Sequence, residues 1–164
     1  MTFQKSDNGF LKISPEALTL MLCYVQDDEH KSESGGILIG RHIIETDDIV
    51  IDTVTQPTCF DKQTRFKFFR NKNLHQEILD NHWKNSKHTS TYLGEWHTHP
   101  EKYPFPSNID VKNWNKLVKE IDFFGKSLFF IIVGIDTIKI WELKKGLKSK
   151  PIELFERGIN INNK

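Results

Sequence analysis

The sequence predicts an α/β domain: a single mixed β-sheet with helices on its faces. Three observations carry this. Strand-like and helix-like segments alternate through the first two thirds of the chain, as in βαβ-type folds. Two apolar strands near the C-terminal end, Ser127–Ile135 and Thr137–Leu143, are separated only by Asp136 and read as a hairpin. No linker or repeat divides the 164 residues, a length that supports one proper core. The expectation is therefore one domain over 1–164 with its core at about 11–156.

Element by element, Ser14-Pro15-Glu16 reads as the N-cap and first turn of a helix running to about Gln26. Leu18, Met21, Leu22 and Val25 form its apolar face, and Cys23 is placed in the core. Gly36–Gly40 reads as a buried strand, followed by another at Ile49–Val54. A polar loop, Pro57–Thr64, leads through Arg65–Arg70 to a helix around Leu74–Trp83, with Ile78, Leu79, His82 and Trp83 on its inner face. His75, His82 and His88 are too scattered for a metal set and are read as surface or core-edge residues. A strand then ends in Tyr92–His99, stopped by Pro100 and the stiff Tyr103-Pro104-Phe105-Pro106. Ser107 caps the next helix, whose buried stripe is Trp114, Leu117, Val118 and Ile121. After the hairpin come a basic turn, Lys144–Lys150, a last strand, Pro151–Phe155, and a tail, Gly158–Lys164, expected to fray.

Composition excludes several classes. A net charge of only +1 is no footprint for nucleic acid. No apolar run reaches a membrane span, and Met1–Asn8 lacks the apolar segment of a secretory signal. A cytoplasmic location is expected. Two cysteines are too few for a disulfide framework, and Cys59 receives no role.

The chemistry lies in His97-Thr98-His99, seven residues, then Ser107-Asn108-Ile109-Asp110. Alternate residues of a strand share a face, so both imidazoles aim one way. Asp110 sits one turn before Trp114 and continues the buried stripe, where a carboxylate is costly unless a charge or metal meets it. His97, His99 and Asp110 are thus three candidate ligands for zinc, leaving a fourth position for water. Ser107 is a candidate hydrogen-bond donor to a bound carbonyl. Taken singly, Ser107 and Asp110 make a capping box, and the histidines make a solvated or core pair; the conjunction points to a metal. Gly35 and Gly36 lack the Gly-Lys-Ser/Thr of a phosphate loop and are read as close backbone packing beside the metal.

These residues resemble the JAMM motif, His-x-His-x7-Ser-x2-Asp, of the JAB/MPN metalloproteases, at every defined position. The family's upstream glutamate is matched by Glu33 in Glu33-Ser34-Gly35-Gly36-Ile37-Leu38-Ile39-Gly40. The resemblance runs from about Leu11 to Trp141. It implies a cytidine-deaminase-like α/β fold and a zinc-dependent peptidase or isopeptidase with one zinc per chain. Tyr92–Pro100 and Ile109-Asp110-x3-Trp114 are similar to the single-domain JAB proteins of bacterial CBASS antiphage operons. Those remove a cGAS-like nucleotidyltransferase that a conjugating enzyme has joined through its C-terminus to other proteins.

The resemblance makes Glu33 the general base, taking a proton from water and passing it to the leaving amine. Glu95, on the strand face of His97 and His99, is the local competitor; a solvated acid in the charged loop is the plain alternative for Glu33. Zinc and Ser107 would together stabilise the oxyanion. The implied partner is a protein conjugate, engaged through an extended C-terminal tail, with no nucleic acid and no membrane. Pro57–Arg70 is the candidate wall for that tail by β-augmentation. In that segment's alternating pattern Phe66 and Phe68 read as core, with Arg65, Lys67 and Arg70 then facing solvent or an acidic partner. Two other functions remain open: processing of a ubiquitin-like or sulfur-carrier protein, and a non-catalytic MPN scaffold, which would be expected to lose its ligand set.

Overall fold

The computed structural model describes residues 1–146 and 150–158. In chain order the elements are β1 (Thr2–Gln4), β2 (Phe10–Ile13), α1 (Pro15–Leu22), β3 (Gly35–His42), β4 (Ile49–Val54), β5 (Lys62–Thr64) and β6 (Lys67–Phe69). There follow α2 (Lys72–Asn85), β7 (Thr91–Thr98), α3 (Asn108–Glu120), β8 (Ser127–Val133), β9 (Ile138–Lys144) and β10 (Ile152–Leu154). Eight strands form one sheet in the order β1-β2-β4-β3-β7-β8-β9-β10, and β5 and β6 form a separate hairpin. The sheet is mixed, as expected: β2 runs parallel to β4 and β7 parallel to β8, while the other pairs are antiparallel.

Helices cover both faces. Ala17 and Met21 of α1 pack with Leu38, Ile51, Leu93, Trp96 and Phe129. On the other face Trp114 and Val118 of α3 pack with Phe130, Ile132 and Trp141. Trp114 stacks on Phe130 at 4.6 Å between centroids, and a buried aromatic of this kind contributes roughly 2–3 kcal/mol through its apolar area. Every residue of β8 is buried, which is why Leu128–Val133 reads as a continuous apolar run rather than an alternating one.

Several expectations change. Helix α1 ends at Leu22, with Cys23 as an exposed C-cap rather than a core residue. Tight bonds from Tyr24 N to Met21 O and from Val25 N to Leu22 O close the helix. The chain then turns so that Gln26, not an apolar residue, enters the interior. Ordered structure begins before Leu11: Phe3 of β1 is buried, and it bridges to Glu156. On α2, His82 and Trp83 are exposed, and the residue it buries is His75. That ring meets the Thr55 hydroxyl at 2.5 Å and the Asp61 carboxylate at 3.1 Å. A fully buried imidazole needs both of its nitrogens partnered in this way. The Lys144–Lys150 turn is described only in part, and the tail beyond Gly158 lies outside the described residues.

Candidate metal centre and active site

The β3–β7 register pairs Gly35 with His97, which places residues at the start of β3 beside the end of β7. His97 and His99 project on the α3 face, with Nε2 atoms 3.0 Å apart. Helix α3 starts as the sequence predicts. The Ser107 hydroxyl accepts from Asp110 N at 3.2 Å, and Asp110 Oδ2 accepts from Ser107 N at 2.7 Å. Because Asp110 continues the row of Trp114, its carboxylate reaches the histidines, 3.6 Å from His97 Nε2 and 3.7 Å from His99 Nε2.

Two imidazoles and a carboxylate are a borderline-to-hard donor set suited to zinc. Ligands about 2.0–2.1 Å from a tetrahedral zinc lie roughly 3.3 Å from one another. The imidazole nitrogens are 3.0 Å apart, Asp110 Oδ1 is 3.6 Å from His97 and Asp110 Oδ2 is 3.7 Å from His99; each separation lies near that edge, so these residues fit the ion. Burial lowers the pKa of His97; the Asp110 charge opposes this and the neighbouring His99 adds to it. A neutral ring is the ligating form.

Glu33 lies at the same centre. Its carboxylate and the two imidazoles offer atoms within 4.8 Å of one another. The residue is only 7% exposed. Burial, with the Asp110 charge second, raises its pKa to about 8. Glu95 is differently placed: its Oε1 is 2.5 Å from Nη2 of Arg70, in a half-buried ion pair. The expectation for Arg70, solvent or an acidic partner, is met within the chain by an acidic residue. Its guanidinium is held against β7, where the Glu95 charge meets it.

The two glycines are sites of close backbone packing, as expected. A Cβ at Gly35 would strike the Trp96 carbonyl and the Phe68 ring; one at Gly36 would strike Thr55. The atoms they approach belong to the neighbouring strand β7, to Thr55 just after β4, and to the β5–β6 hairpin.

A cleft of about 370 Å³, lined in part by Glu33, His97, Asp110, Phe68 and Trp114, opens over the centre. Through Arg70, Lys72 and Leu117 it shares walls with a second cavity of about 390 Å³ beside Trp83 and Phe123. Together they form a trough between α2 and α3 floored by β3 and β7. Phe68 and Phe69 of the β5–β6 hairpin line it, and Phe69, Phe66 in the hairpin turn and Phe60 just before the hairpin are exposed. Phe66 is thus not core, and only Phe68 is drawn in against Gly35. Sequence reasoning missed the Arg70–Glu95 pair, and it missed Gln26 and Thr98, whose side chains lie behind the centre. The position of Thr98 between two ligands was the signal for it.

A sequence profile of the family described as prokaryotic homologs of the JAB domain matches residues 15–144. Three similar proteins share the name CD-NTase/cGAS isopeptidase. One, from Pseudomonas aeruginosa, is 37% identical over 65% of this chain and 66% of its own length, just under two thirds. One from Vibrio cholerae is 31% identical over 82% of each chain, and one from Escherichia coli is 36% identical over 70% of this chain and 72% of its own. A Desulfitobacterium hafniense protein of known solution structure shares the fold, with a TM-score of 0.58 and 21% identity over 82% of this chain and 85% of that one. With the profile spanning most of the domain and the fold agreeing, the chain belongs to the prokaryotic JAB-domain family.

Proposed function

We propose that this protein is a cytoplasmic zinc-dependent isopeptidase that cuts after the C-terminal residue of a CD-NTase joined to another protein, reversing that conjugation in antiphage defence. One observation carries the chemistry: the buried Glu33 carboxyl lies within 4.8 Å of the paired His97 and His99, with Asp110 closing the set. The substrate class is supported by the shared name of the three similar proteins. In keeping with a protein substrate met in solution, no helix among the described residues is long and apolar enough to cross a membrane.

His97, His99 and Asp110 would hold the zinc. When bound, zinc supplies a Lewis acid that polarises the scissile carbonyl and acidifies an attacking water. Glu33 takes the proton from that water at a carboxylate oxygen and delivers it to the leaving amine. Ser107 uses an oxygen lone pair to cap Asp110 N, which leaves its O–H proton to donate to the developing oxyanion. The trough orients an extended tail, and the exposed edge of the hairpin offers backbone hydrogen bonds to it.

The decisive assay incubates the zinc-loaded protein with a CD-NTase from the same genome, fused through its own C-terminus to a reporter. The mass of the products should place a single cut directly after the CD-NTase tail. An intact fusion overturns the reading; cleavage of an equivalent ubiquitin-like or sulfur-carrier fusion instead moves the substrate to that class.

Ser107→Ala separates chemistry from capping. Turnover should fall about a hundredfold or more, together with a loss of about 1 kcal/mol of stability from the cap. A lowered Tm with unchanged kcat would remove the donor role.

A further inference from the structure

Gln26 is 1% exposed, an unusual place for an amide unless its polar atoms are used. All of them are. Nε2 donates to Lys31 O at 3.2 Å and to Arg65 O at 2.9 Å. Oε1 accepts from the Thr98 hydroxyl at 2.9 Å. That hydroxyl oxygen in turn accepts from Ser34 N at 3.0 Å.

The three segments joined here are the ones the proposed reaction needs in register. Lys31 and Ser34 flank Glu33. Arg65 forms the turn of the β5–β6 hairpin. Thr98 stands between His97 and His99, and strand alternation points it to the face opposite the metal centre, where Gln26 waits. Backbone bonds run alongside: Glu33 N donates to Thr64 O, and Thr98 N to Ser34 O, both at 2.8 Å. Glu33 sits in a connection just before β3 rather than within the sheet, and the hairpin lies outside the main sheet altogether. The main ladder ends at the Gly35–His97 pair, two residues short of Glu33, and does not include the hairpin. The Gln26 amide supplies a fixed side-chain link among them.

We infer that Gln26, acting through Thr98, is a positioning residue that sets the general base, the metal-ligand strand and the substrate-binding hairpin relative to one another. It touches neither substrate nor metal. Productive geometry tolerates little error: a displacement of about 1 Å at a reacting group costs on the order of a hundredfold in rate. Two arms of the hub separate. The Oε1–Thr98–Ser34 arm aligns Glu33 with the histidines and bears on kcat. The Nε2–Arg65 arm seats the hairpin and bears on KM.

The inference rests on the peptidase reading, so its test includes a readout free of activity. Gln26→Met keeps the side chain's size and removes its hydrogen bonds. In the zinc-loaded protein, assayed well below its Tm on the CD-NTase fusion, it should lower kcat at least tenfold and raise KM severalfold. Zinc content should stay at the wild-type level. Amide hydrogen exchange should accelerate together in 31–34 and 62–69. Thr98→Val should lower kcat with KM little changed, while Thr98→Ser, which keeps the hydroxyl, should restore it. If Gln26→Met does not fold, the Thr98 pair decides the kcat arm. A fallen Tm with kcat and KM both unchanged overturns the positioning role, as does equal kcat in Thr98→Val and Thr98→Ser. If the wild-type protein does not cut the fusion, the peptidase reading fails by itself. Hydrogen exchange then decides alone: joint acceleration of the two segments upholds the coupling, and acceleration confined to the turn around Gln26 overturns it.

Discussion

Glu33→Gln should abolish most turnover while leaving zinc in place. A positioned general base contributes about 10²–10⁴-fold, and an amide of the same shape cannot take a proton from water. The same substitution has a second, opposite effect on the metal-free protein. Burial and the Asp110 charge raise the folded-state pKa of Glu33 from 4.5 to about 8. The folded state therefore favours the protonated acid. That contribution is fully present below about pH 4.5 and is lost as pH rises toward 8, because the buried carboxyl must then ionise against its surroundings. At about 1.4 kcal/mol per pKa unit, the wild-type protein should fall behind Glu33→Gln by on the order of 4 kcal/mol at pH 8, with little difference near pH 4. Denaturant melts of both metal-free proteins across that range measure it directly. Other groups titrate in both proteins, so the difference isolates Glu33. Zinc should flatten the wild-type slope, since a cation beside the carboxylate draws its pKa back down. A difference that does not grow with pH would contradict the burial argument; retained turnover would return the base role to Glu95.

Removing the ligands should remove both metal and activity. The double substitution His97→Ala/His99→Ala should leave no stoichiometric zinc by elemental analysis and no measurable cleavage. Asp110→Asn is the sharper single variant. It retains an oxygen to accept from Ser107 N, so the N-terminus of α3 stays capped, yet it lacks the charge that helps hold the ion. Ligand binding to the folded state adds stability by mass action, about 2.7 kcal/mol at a hundredfold excess over Kd. For a domain of this size that is a Tm rise of roughly 5–10 °C. Zinc should give this rise in the wild-type protein and not in either variant, and a chelator should reverse it. Full zinc occupancy in the double variant would place the metal elsewhere.

Much of this was legible in the sequence because its physical causes are local. A strand's two-residue period puts His97 and His99 on one side, and a helix's stripe puts Asp110 in line with Trp114. The Ser107 capping box, the Ser14 cap, the β4 boundaries and the buried β8 are likewise nearest-neighbour consequences of residue type and spacing. What only the tertiary structure decided concerns pairs far apart in the chain. Glu33 and Glu95 both offered a carboxylate near the motif. The Gly35–His97 register carries Glu33 to the imidazoles, while Arg70, arriving from the hairpin, engages Glu95. The exposure of Phe66, the burial of His75 and the turn that sends Gln26 inward have the same character. Each depends on which distant backbone carbonyl or side chain lies opposite, and burying a polar group is favourable only where that partner exists. Local periodicity specifies a side chain's direction; strand register and loop closure specify what it meets.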